Sequence, residues 1–201
     1  LSPAHLNPAV SLAMFFAKKI NGSRFLLYSL AQLAGSILGA AILYAIFHPS
    51  IEHYESIHDI VRGTEDSIVT ASMFGEFFPN PGFSEQTGNI GQWQAMAAEF
   101  SGTFILVYMI FWFCLPKNES NLTPLFIGMT VAALICLLAP ISQGGFNPAR
   151  DFGPRLFSYF AGWKNAAFPS PDFSFFTVYI LSPLAGGSLA HVAFYLTKKR
   201  N

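Results

Sequence analysis

The residues best placed to do chemistry form a tripeptide that occurs twice, as Asn7-Pro8-Ala9 and as Asn147-Pro148-Ala149. Asparagine is a favoured helix N-cap, and proline fits the first helical position because its missing N–H would be unsatisfied there anyway. Each copy opens an apolar stretch too short to cross a membrane, Asn7–Ala17 and Asn147–Phe160. The pattern predicts two half-helices whose positive N-terminal ends meet inside a bilayer and face a water-filled path.

Arg150 directly follows the second tripeptide. A charged side chain at membrane depth is costly, and it is usually functional. The sequence therefore predicts one of two placements for Arg150. It faces the path, or it forms an ion pair with an acid in a vestibule.

Four segments are long enough to span a bilayer, for which about 20 apolar residues are needed. These segments are Phe25–Phe47, Ala95–Leu115, Leu125–Ile141 and Phe175–Leu196. We expect residues 1–47 to be the remainder of a first repeat, residues 48–94 a long extracellular loop, and residues 95–201 a second repeat. Both repeats contain a half-helix followed by a spanning helix, a pattern typical of inverted-repeat transport proteins. The second repeat also has two earlier spanning helices, so we expect the chain to be a fragment of a longer protein.

The composition favours a polytopic membrane protein. Charged residues make up 11% of the 201 residues, whereas soluble domains carry about 25%. The net charge is zero, so a nucleic-acid partner is not indicated. Basic residues concentrate at one end of the predicted spans, which predicts a cytoplasmic C-terminus: Lys18, Lys19, Arg24, Lys117, Lys198, Lys199 and Arg200. Cys114 and Cys136 lie in apolar segments and are predicted to be buried free thiols.

The two tripeptides and their flanking residues resemble the major intrinsic protein family of aquaporins and glycerol facilitators. The resemblance extends from Leu1 to about Leu196. It implies an all-α membrane protein, a right-handed bundle of six spanning helices and two re-entrant half-helices, of which four spanning helices are present in this chain. It also implies a homotetramer in the plasma membrane or the bacterial inner membrane, with one pore in each subunit.

The resemblance also implies roles for polar residues. Asn7 and Asn147 donate from their amides to the passing solute, although a plain N-cap is the alternative for both. Arg150 donates at the narrowest point. Glu99 accepts backbone N–H groups of a re-entrant loop, and His5 supports the hydrogen bonds of the first loop.

Residues of three regions match the glycerol-conducting subgroup rather than the water-selective one. Asp151 follows the arginine, Arg155 comes four residues later, and Pro183-Leu184 lies in the last span. An i, i+4 pair of Asp and Arg is also an ordinary salt bridge. The segment Phe78-Pro79-Asn80-Pro81 resembles the loop of bacterial glycerol facilitators more weakly.

Two predicted filter residues depart from the bacterial glycerol pattern. Counting back from the second tripeptide gives Ile135 and Gly144 as the residues that, with Arg150, form the filter. A branched aliphatic and a glycine together resemble plant channels that pass boric acid, urea and glycerol. The remaining filter residue would lie in a helix that the chain lacks.

The sequence therefore predicts passive conduction of glycerol and other small neutral solutes, with water. A urea, boric acid or metalloid channel and a water-selective channel are the alternatives. An interaction-only protein is a further alternative, since four spans cannot close the family's pore. No nucleophile or acid–base pair is visible for an enzyme, no phosphate-binding loop indicates a cofactor, and His48, His53 and His58 lack zinc-ligand spacing.

Overall fold

The computed structural model describes residues 4–169 and 173–198, and within these residues the regular structure is helical, with no strand. The longer helices are α1 (Pro8–Phe16), α2 (Gly22–Ile57), α5 (Gln92–Phe113), α6 (Thr123–Ser142), α7 (Pro148–Ser158) and α8 (Ser174–Lys198). The short helices between them are a 3-10 turn at Glu65–Ser67, α3 (Ile68–Ala71), α4 (Ser84–Thr87), a π turn at Tyr159–Trp163 and a 3-10 turn at Lys164–Ala167. A π-helical turn, Thr177–Leu181, lies inside α8.

The two half-helices, α1 and α7, begin as their sequences predict. Asn7 and Asn147 have extended backbone angles, and each side-chain oxygen accepts from backbone N–H groups at the start of its helix. The proline of each tripeptide occupies the first helical position. The caps satisfy donors that would otherwise be left free at the helix N-terminus.

The four predicted spans are all helices, and the described residues contain four helices long and apolar enough to cross a membrane. The predicted boundary at residue 48 is wrong, because α2 continues to Ile57 through Pro49. Hydropathy marks only the apolar part of this helix. Its last turns are stabilised by polar contacts, including the His48–Glu52 pair at 3.4 Å, and by burial of Ile51.

The half-helix α1 packs between α5 and α8. Val10, Ala13, Val107, Ala190 and Phe194 form a buried cluster there. A Cβ atom at Gly187 of α8 would lie 3.1 Å from the carbonyl oxygen of Ala9, so glycine at this position allows the close approach of α8 to α1. The second half-helix, α7, packs on α2 in the same way, since a Cβ at Gly153 would meet Ser36.

The end of α2 is fixed to the segment that follows it through Arg62. The guanidinium donates to Glu55 at 2.7 Å and to the Tyr44 hydroxyl at 2.8 Å, and it lies over the Trp163 ring at 4.3 Å. Partial burial alone would lower the pKa of Arg62. The hydrogen bonds to Glu55 and Tyr44 outweigh burial, so the pKa is raised above its ordinary value.

Candidate functional site

The two tripeptides meet at the N-terminal ends of α1 and α7. The Asn7 amide nitrogen donates to the carbonyl oxygen of Phe146 at 2.8 Å, and the Asn147 amide nitrogen donates to that of Leu6 at 2.8 Å. Each asparagine is therefore fixed by the loop that leads into the other half-helix. An amide nitrogen carries two N–H donors, so one donor of each remains for a second acceptor.

A cavity of about 560 Å³ contains this junction. Its lining follows α1 from Asn7 through Val10 and Met14, and it includes Asn147 and Arg150. The remaining lining is mostly apolar and comes from α5, α6 and the two loops: Ala4, His5, Leu6, Lys19, Ile20, Leu106, Ile110, Cys114, Ile127, Val131, Ile135, Gly144, Gly145 and Phe146. The lining thus combines a few polar side chains with many apolar ones.

The three predicted filter residues line this same cavity. The Arg150 side chain is 52% exposed and Ile135 is 39% exposed. Gly144 adopts φ +71°, and a Cβ there would lie 3.3 Å from the Phe146 ring and 3.4 Å from the Ile135 Cα. Glycine is therefore favoured here by the backbone as well as by the space, a second reason that the sequence did not reveal.

Glu99 of α5 is fully buried and holds the loop that precedes α7. Its carboxylate accepts from the backbone N–H groups of Gly145 and Phe146, at 2.9 and 2.6 Å, and from the Ser142 hydroxyl at 2.7 Å. The geometry agrees with the loop-supporting contact expected from the sequence. Because the Phe146 carbonyl in turn accepts from Asn7, Glu99 helps to position the junction of the half-helices.

His5 lines the cavity and contacts α1. Its Nδ1 lies 3.2 Å from the Ser11 hydroxyl, which also accepts from Gln32 at 3.0 Å. The imidazole adds a polar group to the lining of the cavity.

Asp151 and Arg155 form a fully buried ion pair that does not line the cavity. The Arg155 Nη2 lies 2.6 Å from the Asp151 Oδ1, and Nη1 donates to the Ala167 carbonyl at 2.6 Å. Arg155 also donates to the Glu76 carbonyl. These two residues hold loops around α7. Pro183 is buried and Leu184 half-buried in α8, and neither lines the cavity.

Glu76 is the residue that the sequence analysis missed. It lies within residues 48–94, which are predicted to be a long extracellular loop, yet its side chain is fully buried and forms an ion pair with Arg150. The Arg150 side chain thus lines the cavity and lies against this acid, and its role in the filter stays a prediction. The signal in the sequence was the position of Glu76 directly before the aromatic and proline-rich run Phe77–Pro81.

The residues that the structure describes contain no group of three or more His, Cys, Asp or Glu side chains that could hold a metal ion. Cys114 and Cys136 are free, as expected, but neither is buried, because Cys136 is exposed on α6 and Cys114 is half-buried at the end of α5.

Comparisons with known proteins agree with this arrangement. The sequence model of the family described as "Major intrinsic protein" matches residues 1–194. The chain is 36% identical over 190 residues to a glycerol uptake facilitator protein of Haemophilus influenzae, covering 92% of this chain and 69% of the relative. It is 35% identical to a propanediol uptake facilitator of Citrobacter freundii, covering 92% and 68%. The structure of the aquaglyceroporin from Plasmodium falciparum superposes with a TM-score of 0.78 at 23% identity, covering 96% of this chain and 72% of that one.

Proposed function

We propose that this chain, which belongs to the major intrinsic protein family, conducts glycerol and other small neutral solutes passively across a membrane, together with water. The observation that carries the proposal is the cavity in which both half-helices end. Asn7, Asn147 and Arg150 line this cavity together with many apolar side chains. A polyol can rest its carbon face on such a wall while its hydroxyls replace their hydration with protein donors and carbonyls.

The relatives support glycerol as the first solute to test. Glycerol uptake facilitators are about a third identical to this chain over most of its length, and a propanediol facilitator is equally similar. Glycerol and propanediol share adjacent hydroxyls on a short carbon chain. The solute class we assign is therefore small polyols, with glycerol foremost.

A second candidate is a channel for urea, boric acid or a metalloid. Ile135 and Gly144 favour it, because both line the cavity with Arg150 and neither provides a side-chain donor. A water-selective channel is the less favoured alternative, since Ile135 provides no polar group to bind a single water molecule tightly.

Membership of the family also suggests the pore residues, the assembly and the membrane location of the channel. We assign Asn7 and Asn147 as pore donors near the midplane, with Pro8, Ala9, Pro148 and Ala149 building the two helix starts. The protein is proposed to be a homotetramer. It is an integral protein of the plasma membrane or the bacterial inner membrane, and its C-terminus lies in the cytoplasm. This orientation rests on the distribution of basic residues. The dipoles of the two half-helices place partial positive charge at their N-termini, and this charge opposes the passage of cations and protons.

The proposal is tested with the protein reconstituted in lipid vesicles. Stopped-flow light scattering should show rapid re-swelling in a glycerol gradient, above the rate of protein-free vesicles, as well as rapid shrinking in an impermeant osmolyte. The same vesicles are then challenged with urea and boric acid. Water permeation without glycerol entry would reject the proposal and favour a water channel, and faster entry of urea or boric acid than of glycerol would favour the second candidate.

Replacing Arg150 with alanine should let small cations leak through the pore. The substitution removes the positive charge at the filter and leaves the buried Glu76 carboxylate unpaired, so the barrier to cations falls on both counts. We expect a rise in vesicle sodium flux of about tenfold, equivalent to roughly 1.4 kcal/mol of barrier. Arg24→Ala, at an exposed arginine of α2, is the matched control and should leave the flux unchanged. Equal sodium exclusion by Arg150→Ala and the unmodified protein would contradict the filter role.

A further inference from the structure

Three basic side chains converge on one groove where α1 ends and α2 begins. Lys18 and Lys19 follow the half-helix α1, and Arg24 lies in the first turn of α2. All three line a groove of about 570 Å³, which is within the range of about 300–1,000 Å³ typical of small-ligand sites. This end of the helices is the one that we assign to the cytoplasm.

The turn between α1 and α2 brings the three basic residues together. Lys18 has a left-handed backbone, with φ +57°. The N–H groups of Lys18 and Lys19 donate to the carbonyls of Phe15 and Met14, at 2.9 Å each, which is the hydrogen-bond pattern of a Schellman turn. Because α2 begins at Gly22, the two lysines lie beside its first turn.

The groove is positively charged. Lys18, Lys19 and Arg24 are exposed, and none of them forms an ion pair within residues 4–169 and 173–198. The described residues that line the groove include no Asp or Glu. The Lys19 ammonium lies 5.8 Å from the centre of the Phe111 ring, a contact that positions the charge without neutralising it. Three cations in one groove favour an anionic ligand.

Aromatic side chains form the apolar part of the groove. Phe15 and Phe16, which are 36% and 46% exposed, line it beside the cations. Phe15 stacks on Phe25 of α2 with 5.9 Å between the ring centres, so its position is fixed. Phenylalanine beside lysine and arginine suits the boundary between lipid headgroups and acyl chains. A free phosphate ion would contact only the cations and would leave both rings exposed to water.

We propose that this groove binds the headgroup of an anionic phospholipid. The phosphate accepts charge-assisted hydrogen bonds from Lys18, Lys19 and Arg24, and the acyl chains cover Phe15 and Phe16. Lys19 also lines the cavity between the half-helices, so the bound headgroup lies beside the end of that cavity. The inference needs the membrane location of the chain but not its proposed conduction of solutes.

The test is native mass spectrometry of the detergent-purified protein titrated with phosphatidylglycerol. Phosphatidylcholine with the same acyl chains is the reference lipid, because its headgroup carries no net charge. We expect phosphatidylglycerol to bind at least about tenfold more tightly than phosphatidylcholine. A basic residue near an anionic lipid contributes about fivefold in affinity, so each of Lys18→Gln, Lys19→Gln and Arg24→Gln should weaken phosphatidylglycerol binding by about that factor. The triple variant should lose the preference.

Lys117→Gln is the matched control. Lys117 is an exposed lysine beyond the end of α5, and it does not line the groove, so its substitution should leave phosphatidylglycerol binding unchanged. Equal affinities for the two lipids would overturn the inference, as would a triple variant that binds phosphatidylglycerol as tightly as the unmodified protein. If the triple variant does not accumulate, the three single variants replace it, and unchanged affinity in all three would overturn the inference equally.

Two further measurements distinguish a lipid site from a site for a soluble anion. Inorganic phosphate at the same concentration as phosphatidylglycerol should not displace the lipid, because phosphate lacks acyl chains. Phe16→Ser should weaken phosphatidylglycerol binding about fivefold, since it removes apolar surface that the acyl chains cover. Displacement by phosphate, or unchanged binding in Phe16→Ser, would reject the lipid as the ligand. Binding is measured without transport, so failure here leaves the proposed conduction unaffected.

Discussion

Replacing Arg155 with methionine should lower the stability of the protein by about 3–5 kcal/mol, the usual cost of removing one partner from a buried ion pair. The Arg155 side chain is 1% exposed and is bound to Asp151, to the Ala167 carbonyl and to the Glu76 carbonyl. Methionine fills much of the volume but leaves Asp151 buried without its charged partner. The melting temperature of the detergent-solubilised protein is the measurement, and a fall of about 10 °C is expected.

Two further variants make this experiment decisive. Arg24→Met removes an exposed arginine and should melt with the unmodified protein. Asp151→Asn combined with Arg155→Met removes both charges and should recover part of the loss, because no buried charge is then left unpaired. A single Arg155→Met variant as stable as the unmodified protein would show that the pair does not hold the loops around α7.

The half-helices and the spans could be predicted because their determinants are local. Asn7 and Asn147 cap their own helices, and the prolines that follow suit the first helical position, so neither start depends on distant residues. The spans follow from the length of apolar sequence that a bilayer requires. The end of α2 could not be found this way, since residues 48–57 are polar and remain helical through contacts with the following segment.

The two acids of the filter region are positioned by contacts with residues that are distant in the sequence, and local sequence patterns do not predict such contacts. Glu99 was expected to support the loop because the family resemblance supplied its partner, and it does accept the Gly145 and Phe146 N–H groups. Glu76 had no such precedent, and the sequence analysis placed it only within the loop predicted for residues 48–94. Its burial depends on the loop folding back onto α7, which brings residues 75 positions apart into contact. The distribution of charged residues along the sequence does not predict that contact.

Glycine at residue 144 was predicted to leave space at the filter, and the structure adds a second reason for glycine at this position. The sequence indicated added space at the filter, but φ at this position is +71°, a region that other residues adopt only with strain. A bulky side chain at residue 144 would therefore disturb the loop backbone in addition to filling the pore. Any experiment on pore width is better made at Ile135, which lies in the regular helix α6.

Replacing Ile135 with histidine should reduce glycerol conduction much more than water conduction. Ile135 lines the cavity with Arg150 and Gly144, and it supplies an apolar surface for the carbon face of a polyol. Histidine replaces that surface with a polar ring that suits water and disfavours the carbon chain. We expect the glycerol-to-water permeability ratio to fall about tenfold, equivalent to roughly 1.4 kcal/mol of added barrier for glycerol.

Ile135→Leu is the matched control, because it conserves both volume and apolar character and should leave the ratio within about twofold of its original value. Stopped-flow swelling of vesicles with equal protein content measures both variants. A histidine variant whose ratio equals that of the leucine variant would remove Ile135 from the filter while leaving the half-helix junction as the remaining selective element. Selectivity would then have to arise between Asn7 and Asn147, where the second N–H group of each amide is left for a solute.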